Sequence, residues 1–123
     1  MKKIILLLFI VTACIGANAQ LSKTKWSGTL MLDQPVNITL DFAKDTLVAI
    51  TPDGGTLETM TFTVKDNVLS ITKAFGQSDC GTDVTGKYKF DIKADSMEFT
   101  LVEDICYNRA GVLDKTKWTK VKK

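Results

Sequence analysis

Apolar and polar residues alternate strictly in four separate stretches of this chain. Ile38, Leu40 and Phe42 alternate with Asn37, Thr39 and Asp41, and Met60, Phe62 and Val64 with Thr59, Thr61, Thr63 and Lys65. Tyr88, Phe90 and Ile92 stand between Lys87, Lys89, Asp91 and Lys93, and Met97, Phe99 and Leu101 alternate with Glu98, Thr100 and the less polar Val102. A period of two puts every second side chain on one face of an extended strand, so each stretch has one apolar face and one face of Thr and Lys. Threonine supplies 15 of residues 20–123, and its β-branched side chain suits an exposed strand face and disfavours helix.

Turn-forming residues cut the alternation at short intervals: Asp33-Gln34-Pro35, Ala43-Lys44-Asp45, Asp53-Gly54-Gly55, Asp66-Asn67 and Ala94-Asp95. The two-residue connections Asp66-Asn67 and Ala94-Asp95 read as tight hairpins. The predicted strands are 26–32, 36–42, 46–51, 56–65, 68–74, 85–93, 96–103 and 116–121. Two irregular regions remain, 75–84 and 105–115, and the second has room for a single helical turn. Consecutive, hairpin-linked strands with one apolar face each predict an all-β fold: an antiparallel up-and-down β-barrel of about eight strands, in which closure removes exposed edges. The alternative is a β-sandwich, for which only 75–84 is long enough to serve as a Greek-key crossover.

The first 19 residues are foreign to this pattern. Lys2 and Lys3 precede the apolar run Ile4 to Val11, and small residues follow up to Ala17-Asn18-Ala19, the order of a secretory signal peptide with an A-x-A cleavage site. The apolar stretch of about 14 residues is too short for a bilayer, which needs about 20. The expected organisation is therefore a signal peptide over 1–19 and a single domain over 20–123, exported to the periplasm or beyond. Val11-Thr12-Ala13-Cys14 also resembles a bacterial lipobox, which would anchor the protein to the envelope through Cys14.

Removing Lys2 and Lys3 leaves 14 basic against 14 acidic residues, so the formal charge of +2 belongs to the export address. With charges interspersed and no cationic excess, nucleic-acid binding is not expected. The chain has no His, and with it goes the commonest general base and metal ligand. Neither a nucleophile elbow nor a phosphate-binding loop is present, so the reading is a non-enzyme without metal or cofactor. Cys14 is discarded or lipidated, which leaves Cys80 and Cys106 as one structural disulfide. A closed loop of about 27 residues is worth about 3.5 kcal/mol in the chain-entropy account, large against a typical net stability of 5–15 kcal/mol.

Two sites carry a family resemblance. Lys25-Trp26-Ser27-Gly28 opens the first predicted strand and resembles the Trp/Gly signature of lipocalin-like proteins, the calycins, with Trp26-x-Gly28 in place of the usual Gly-x-Trp. Residues 80–120, with Cys80, Gly86-Lys87-Tyr88, Asp104-x-Cys106-x-x-Arg109 and Trp118, are similar to a group of small exported bacterial lipocalin-like domains. The resemblance implies a barrel of eight to ten strands with an internal site for a small apolar ligand, and structural roles for Trp26, Gly28, Arg109 and Trp118. It also implies a basic residue from late in the chain, Arg109 or Lys120, packed across Trp26.

The expected function is that of an exported, non-catalytic binding protein for a small apolar or amphipathic ligand. Leu40, Phe42, Met60, Phe62, Tyr88, Phe90, Met97 and Phe99 are the cavity candidates, with Leu30, Leu32 and Ile50 also expected to point inward. The same large side chains suit an interior filled solidly by protein, since eight strands enclose little space. Two other readings stand beside it. One is a protein-interaction module such as a calycin-type inhibitor of secreted proteases, with Gln20 to Thr24 as an inserting tail. The other is an envelope domain with no ligand, which touches a membrane only through a lipidated Cys14.

Overall fold

In the computed structural model, which describes residues 20–122, the eight strands follow one another in sequence order around a closed antiparallel barrel. They are β1 (Thr24–Met31), β2 (Pro35–Phe42), β3 (Thr46–Ile50), β4 (Thr56–Lys65), β5 (Val68–Gly76), β6 (Thr85–Lys93), β7 (Ser96–Glu103) and β8 (Lys117–Lys120). A helix, α1 (Tyr107–Leu113), is inserted between β7 and β8. The barrel closes through β8, which pairs with β7 at Met97↔Trp118 and with β1 at Gly28↔Trp118. Each strand thus finds hydrogen-bonding partners on both sides, which is how an eight-stranded sheet escapes open edges. The fold is the expected up-and-down barrel, with no crossover of the kind a sandwich needs. The proposed signal peptide, 1–19, and the lipobox Cys14 lie outside the described residues.

The alternation places the core. Ile38, Leu40 and Phe42 of β2, Met60, Phe62 and Val64 of β4, and Tyr88 and Phe90 of β6 are buried, as are Met97 and Phe99 of β7. Phe42 and Phe62 meet edge to face with ring centroids 5.1 Å apart, a favoured aromatic geometry. Burying each such side chain contributes roughly 1.5–3 kcal/mol. Two expected inward residues are elsewhere. Leu32 lies beyond the end of β1 and is 39% exposed, outside the buried core but on the wall of the barrel's open end. In β3, Leu47 and Ala49 face inward and Ile50 is only half-buried. All four residues Leu47-Val48-Ala49-Ile50 are apolar, so period two could not decide between the two faces.

Turn chemistry sets the registers. Asp66 and Asn67 both have positive φ, 53° and 63°, as the two-residue β4–β5 hairpin requires. The β6–β7 hairpin puts Ala94 at φ 55°. Region 105–115 holds the seven-residue helix α1, longer than the single turn expected. Arg109 and Ala110 are its buried residues, and Val112 and Leu113 pack against the core from the same side.

The first and last strands are entered by the same device. Leu21-Ser22-Lys23-Thr24-Lys25-Trp26 and Leu113-Asp114-Lys115-Thr116-Lys117-Trp118 are one repeated pattern, L-x-K-T-K-W. In both copies the first lysine takes a left-handed conformation, φ 65° at Lys23 and 64° at Lys115. The threonine hydroxyl then donates to the carbonyl of the leucine three residues before it. Each indole N–H in turn donates to that hydroxyl at 2.9 Å, Trp26 to Thr24 and Trp118 to Thr116. Gly28 completes the arrangement, because a Cβ there would lie 2.6 Å from the Trp118 ring. The pairing of Trp26 and Gly28 noted in the sequence is thus a matter of seating two tryptophans on adjacent strands.

Candidate functional site

The two ends of the barrel differ. One end carries the short hairpins 66–67 and 94–95 and the entering segment 20–23, and it is filled. Leu21 is wholly buried there, with Phe42, Val64, Leu69 and Phe90. The segment Gln20 to Thr24, the tail of the alternative inhibitor reading, lies against the barrel here, with the Lys23 N–H donating to the Phe42 carbonyl at 2.8 Å. At the other end, the longer loops 32–34, 51–55 and 77–84 and the helix α1 surround a mouth.

The mouth holds a cavity of about 490 Å³, open to solvent. Leu30, Leu40, Ala49, Leu57 and Met60 line it from the strands, and Val112 and Leu113 from α1. The polar groups on its wall are Asp33, Glu58, Gln77, Ser78, Asp79, Asn108 and Arg109. Among the cavity candidates read from the sequence, Leu40 and Met60 line this space. Phe42, Phe62, Tyr88, Phe90, Met97 and Phe99 lie in the buried core beyond it. Of the other polar depressions, a groove of about 420 Å³ on the outside of β6–β8 is lined by charges of both signs, including Asp91, Lys93, Glu98 and Lys117. Met97 and Trp118 are its apolar lining, and both are buried in the core.

Beside the mouth cavity sits a buried ion pair. Asp104 follows the end of β7 and Arg109 lies on α1, and the guanidinium meets the carboxylate along one edge, Nε to Oδ2 at 2.6 Å and Nη2 to Oδ1 at 3.0 Å. Asp104 also accepts from the Tyr88 hydroxyl at 2.5 Å and from the Cys106 N–H at 2.9 Å. Arg109 Nη2 donates further to the Val84 carbonyl at 3.1 Å. Burial alone would push the Asp104 carboxyl up, but the hydrogen bonds from Arg109, Tyr88 and Cys106 outweigh it and hold the group below its usual value. Burial, with the neighbouring Asp104 carboxylate, pushes the Tyr88 phenol well above its ordinary range, so it stays a neutral donor. Gly86 makes room for the pair, since a Cβ there would run into the Asp104 carboxylate and stand 3.0 Å from Arg109 Nη2.

Two further contacts fix the mouth loops. Cys80 in the 77–84 loop is disulfide-bonded to Cys106 at the start of α1, with Cα atoms 5.5 Å apart. The buried Glu58 of β4 accepts from the Ser78 N–H at 3.2 Å and from the Ser78 hydroxyl. The sequence reading assigned Arg109 a structural role and did not single out Glu58. Of the two bases expected near Trp26, Lys120 stands opposite it in the β1–β8 ladder, whereas Arg109 is committed to Asp104.

No family model, curated protein or solved structure matches this chain. The fold and site define a class: an all-antiparallel, eight-stranded β-barrel, compatible with the calycin architecture, with one end filled and an apolar cavity at the other.

Proposed function

We propose that this is an exported, lipocalin-like binding protein that takes a small apolar or amphipathic molecule into the mouth of its barrel, without catalysing a reaction. The observation that carries the reading is the cavity of about 490 Å³ with an apolar floor of Leu30, Leu40, Ala49 and Met60. Its volume falls within the range of roughly 300–1,000 Å³ usual for small-molecule sites, and its wall combines that apolar floor with polar groups from the surrounding loops and α1. The Cys80–Cys106 disulfide and the buried Asp104–Arg109 pair support it, because both hold the mouth elements in place before any ligand arrives. The disulfide also suits an oxidising compartment, in keeping with cleavage of residues 1–19 as a signal peptide.

The test is a titration of the protein with an environment-sensitive lipophilic dye. Saturable binding at one site per chain is expected, with strong weakening in Leu57→Trp, which puts a large ring into the mouth. Failure to bind any lipophile, or binding that Leu57→Trp leaves unchanged, contradicts the reading. Intact mass of the processed protein separates the two export routes: a chain starting at Gln20 supports simple secretion, and one starting at a lipid-bearing Cys14 supports an anchor.

A further inference from the structure

The two copies of L-x-K-T-K-W differ in what precedes them. Leu113 ends α1 and continues from Val112, whereas cleavage after Ala19, on the export reading above, leaves only Gln20 ahead of Leu21. The second residue of the processed chain is therefore a core residue, since Leu21 is wholly buried at the filled end. The chain is fixed from there onward. The Leu21 carbonyl accepts from the Thr24 N–H at 3.2 Å and from the Thr24 hydroxyl, and the Ser22 hydroxyl donates to the Lys44 carbonyl at 3.0 Å. Gln20 itself is exposed. The processed terminus thus stands in water, one residue outside the core.

An N-terminal glutamine carries both partners of a ring closure: an α-amino group and, at the far end of its own side chain, a carboxamide. An α-amino group ordinarily titrates at about pH 8, so a share of it is uncharged and nucleophilic at neutral pH. Its nitrogen attacks the carboxamide carbon Cδ. The new N–Cδ bond forms, the Cδ–Nε2 bond breaks, and ammonia leaves with the proton given up by the amine. The product is a cyclic lactam, and the step needs no oxidant, reductant or second substrate. The exposed side chain of Gln20 is free to fold back on the terminus, while the fixed Leu21 keeps the ring at the barrel surface. The lactam is uncharged and leaves no primary amine at the chain end.

We infer that Gln20 is a modification site, converted after export to a pyroglutamyl end that shields Leu21 from exopeptidases. The inference rests on the cleavage-site reading and stands apart from ligand binding. Chain ends are where proteolysis concentrates, and an aminopeptidase needs a free α-amine to start. Here two successive cleavages remove a wholly buried side chain and leave a cavity at the filled end. In the second copy of the repeat Leu113 runs no such risk, because α1 precedes it. The mouth lies at the opposite end of the barrel, so ring closure leaves its cavity untouched.

Intact mass and N-terminal sequencing of the protein exported by a host that carries the full chain test it. The expected mass is that of disulfide-bonded residues 20–123 less one molecule of ammonia. Sequencing should be blocked until pyroglutamyl peptidase treatment lets it start at Leu21. The variant Gln20→Ser, altered at an exposed position, should show its full mass and an open terminus. Under an aminopeptidase the wild type should keep its mass, whereas Gln20→Ser should lose residues 20 and 21 and then unfold at lower urea. A chain that begins at Gln20 with full mass and a free amine, even after long incubation at neutral pH, overturns the inference and leaves cleavage after Ala19 standing. Equal resistance of Gln20→Ser to the aminopeptidase overturns it as well. A first residue other than Gln20, a lipid-bearing Cys14 included, overturns the cleavage-site reading and the inference with it.

Discussion

Asp104 and Arg109, five residues apart and both buried, form a two-point ion pair that also gathers Tyr88, Val84 and the Cys106 N–H at one side of the barrel mouth. The pair joins the end of β7 to α1, while the disulfide joins the same stretch to the β5–β6 loop. The end of β7, α1 and the 77–84 loop are thus held together at the mouth by one ionic and one covalent tie. Removing one partner leaves a charge buried without compensation, which typically costs 3–5 kcal/mol. Arg109→Met is expected to lower stability by about that amount in urea unfolding, and adding Asp104→Asn should recover part of the loss. A single-variant loss below about 1 kcal/mol would contradict a structural role for the pair.

Stability should respond to acid through Asp104. Its pKa in the folded protein is lowered, so the unfolded chain takes up a proton first as the pH falls. The contribution of the ionised group is fully present above about pH 4, the unfolded value, and is lost as pH falls through the lower folded value. Unfolding free energy measured across the acid range should decline below about pH 4 in the wild type, and the decline should be shallower in Asp104→Asn. An unchanged slope in the variant would place the acid sensitivity elsewhere.

The Cys80–Cys106 bridge closes a long loop at the mouth. Replacing both cysteines with alanine should cost about 3.5 kcal/mol if restriction of the unfolded chain dominates. The loss should appear mainly in the equilibrium midpoint, and hydrogen exchange should quicken in 77–84 and α1 before it does in β2 or β4.

The two copies of L-x-K-T-K-W should behave alike. Thr24→Ala and Thr116→Ala each remove the hydroxyl that receives an indole N–H, leaving a part-buried donor unpaired. Each is expected to cost about 1–3 kcal/mol in thermal or urea unfolding, with the two values close to each other. A cost at only one site would show that the repeat is one of sequence and not of function in the fold.

The strands were legible in the sequence because each carries its own periodicity and is bounded by residues suited to its turn. Asp66-Asn67 is the clearest case, with both residues at the positive φ that this loop length demands. The disulfide was legible because residues 20–123 contain two cysteines. Period two failed where it carries no information, as in the all-apolar Leu47 to Ile50. It also tells inward from outward but not one barrel end from the other, so Phe42 and Leu40 looked equivalent although only Leu40 reaches the cavity. The polar half of the site comes from loops and from a helix too short for a periodic signal. The pairing of Arg109 with Asp104 and a loop carbonyl was open to reading from the two opposite charges five residues apart, whereas their burial beside the mouth comes from tertiary packing. The repeat of Lys-Thr-Lys-Trp at 23–26 and 115–118 is visible in the sequence and marks the two strands that close the barrel.

The central claim is that a ligand enters the mouth and rests on Leu40 and Met60. Methyl-resolved NMR during titration with the lipophilic dye measures this directly. Saturable shifts at Leu30, Leu40, Met60 and Val112, with Val64 and Leu69 at the filled end unmoved, are the predicted result. No saturable shift at the mouth methyls, or shifts centred on Val64 and Leu69, would contradict it.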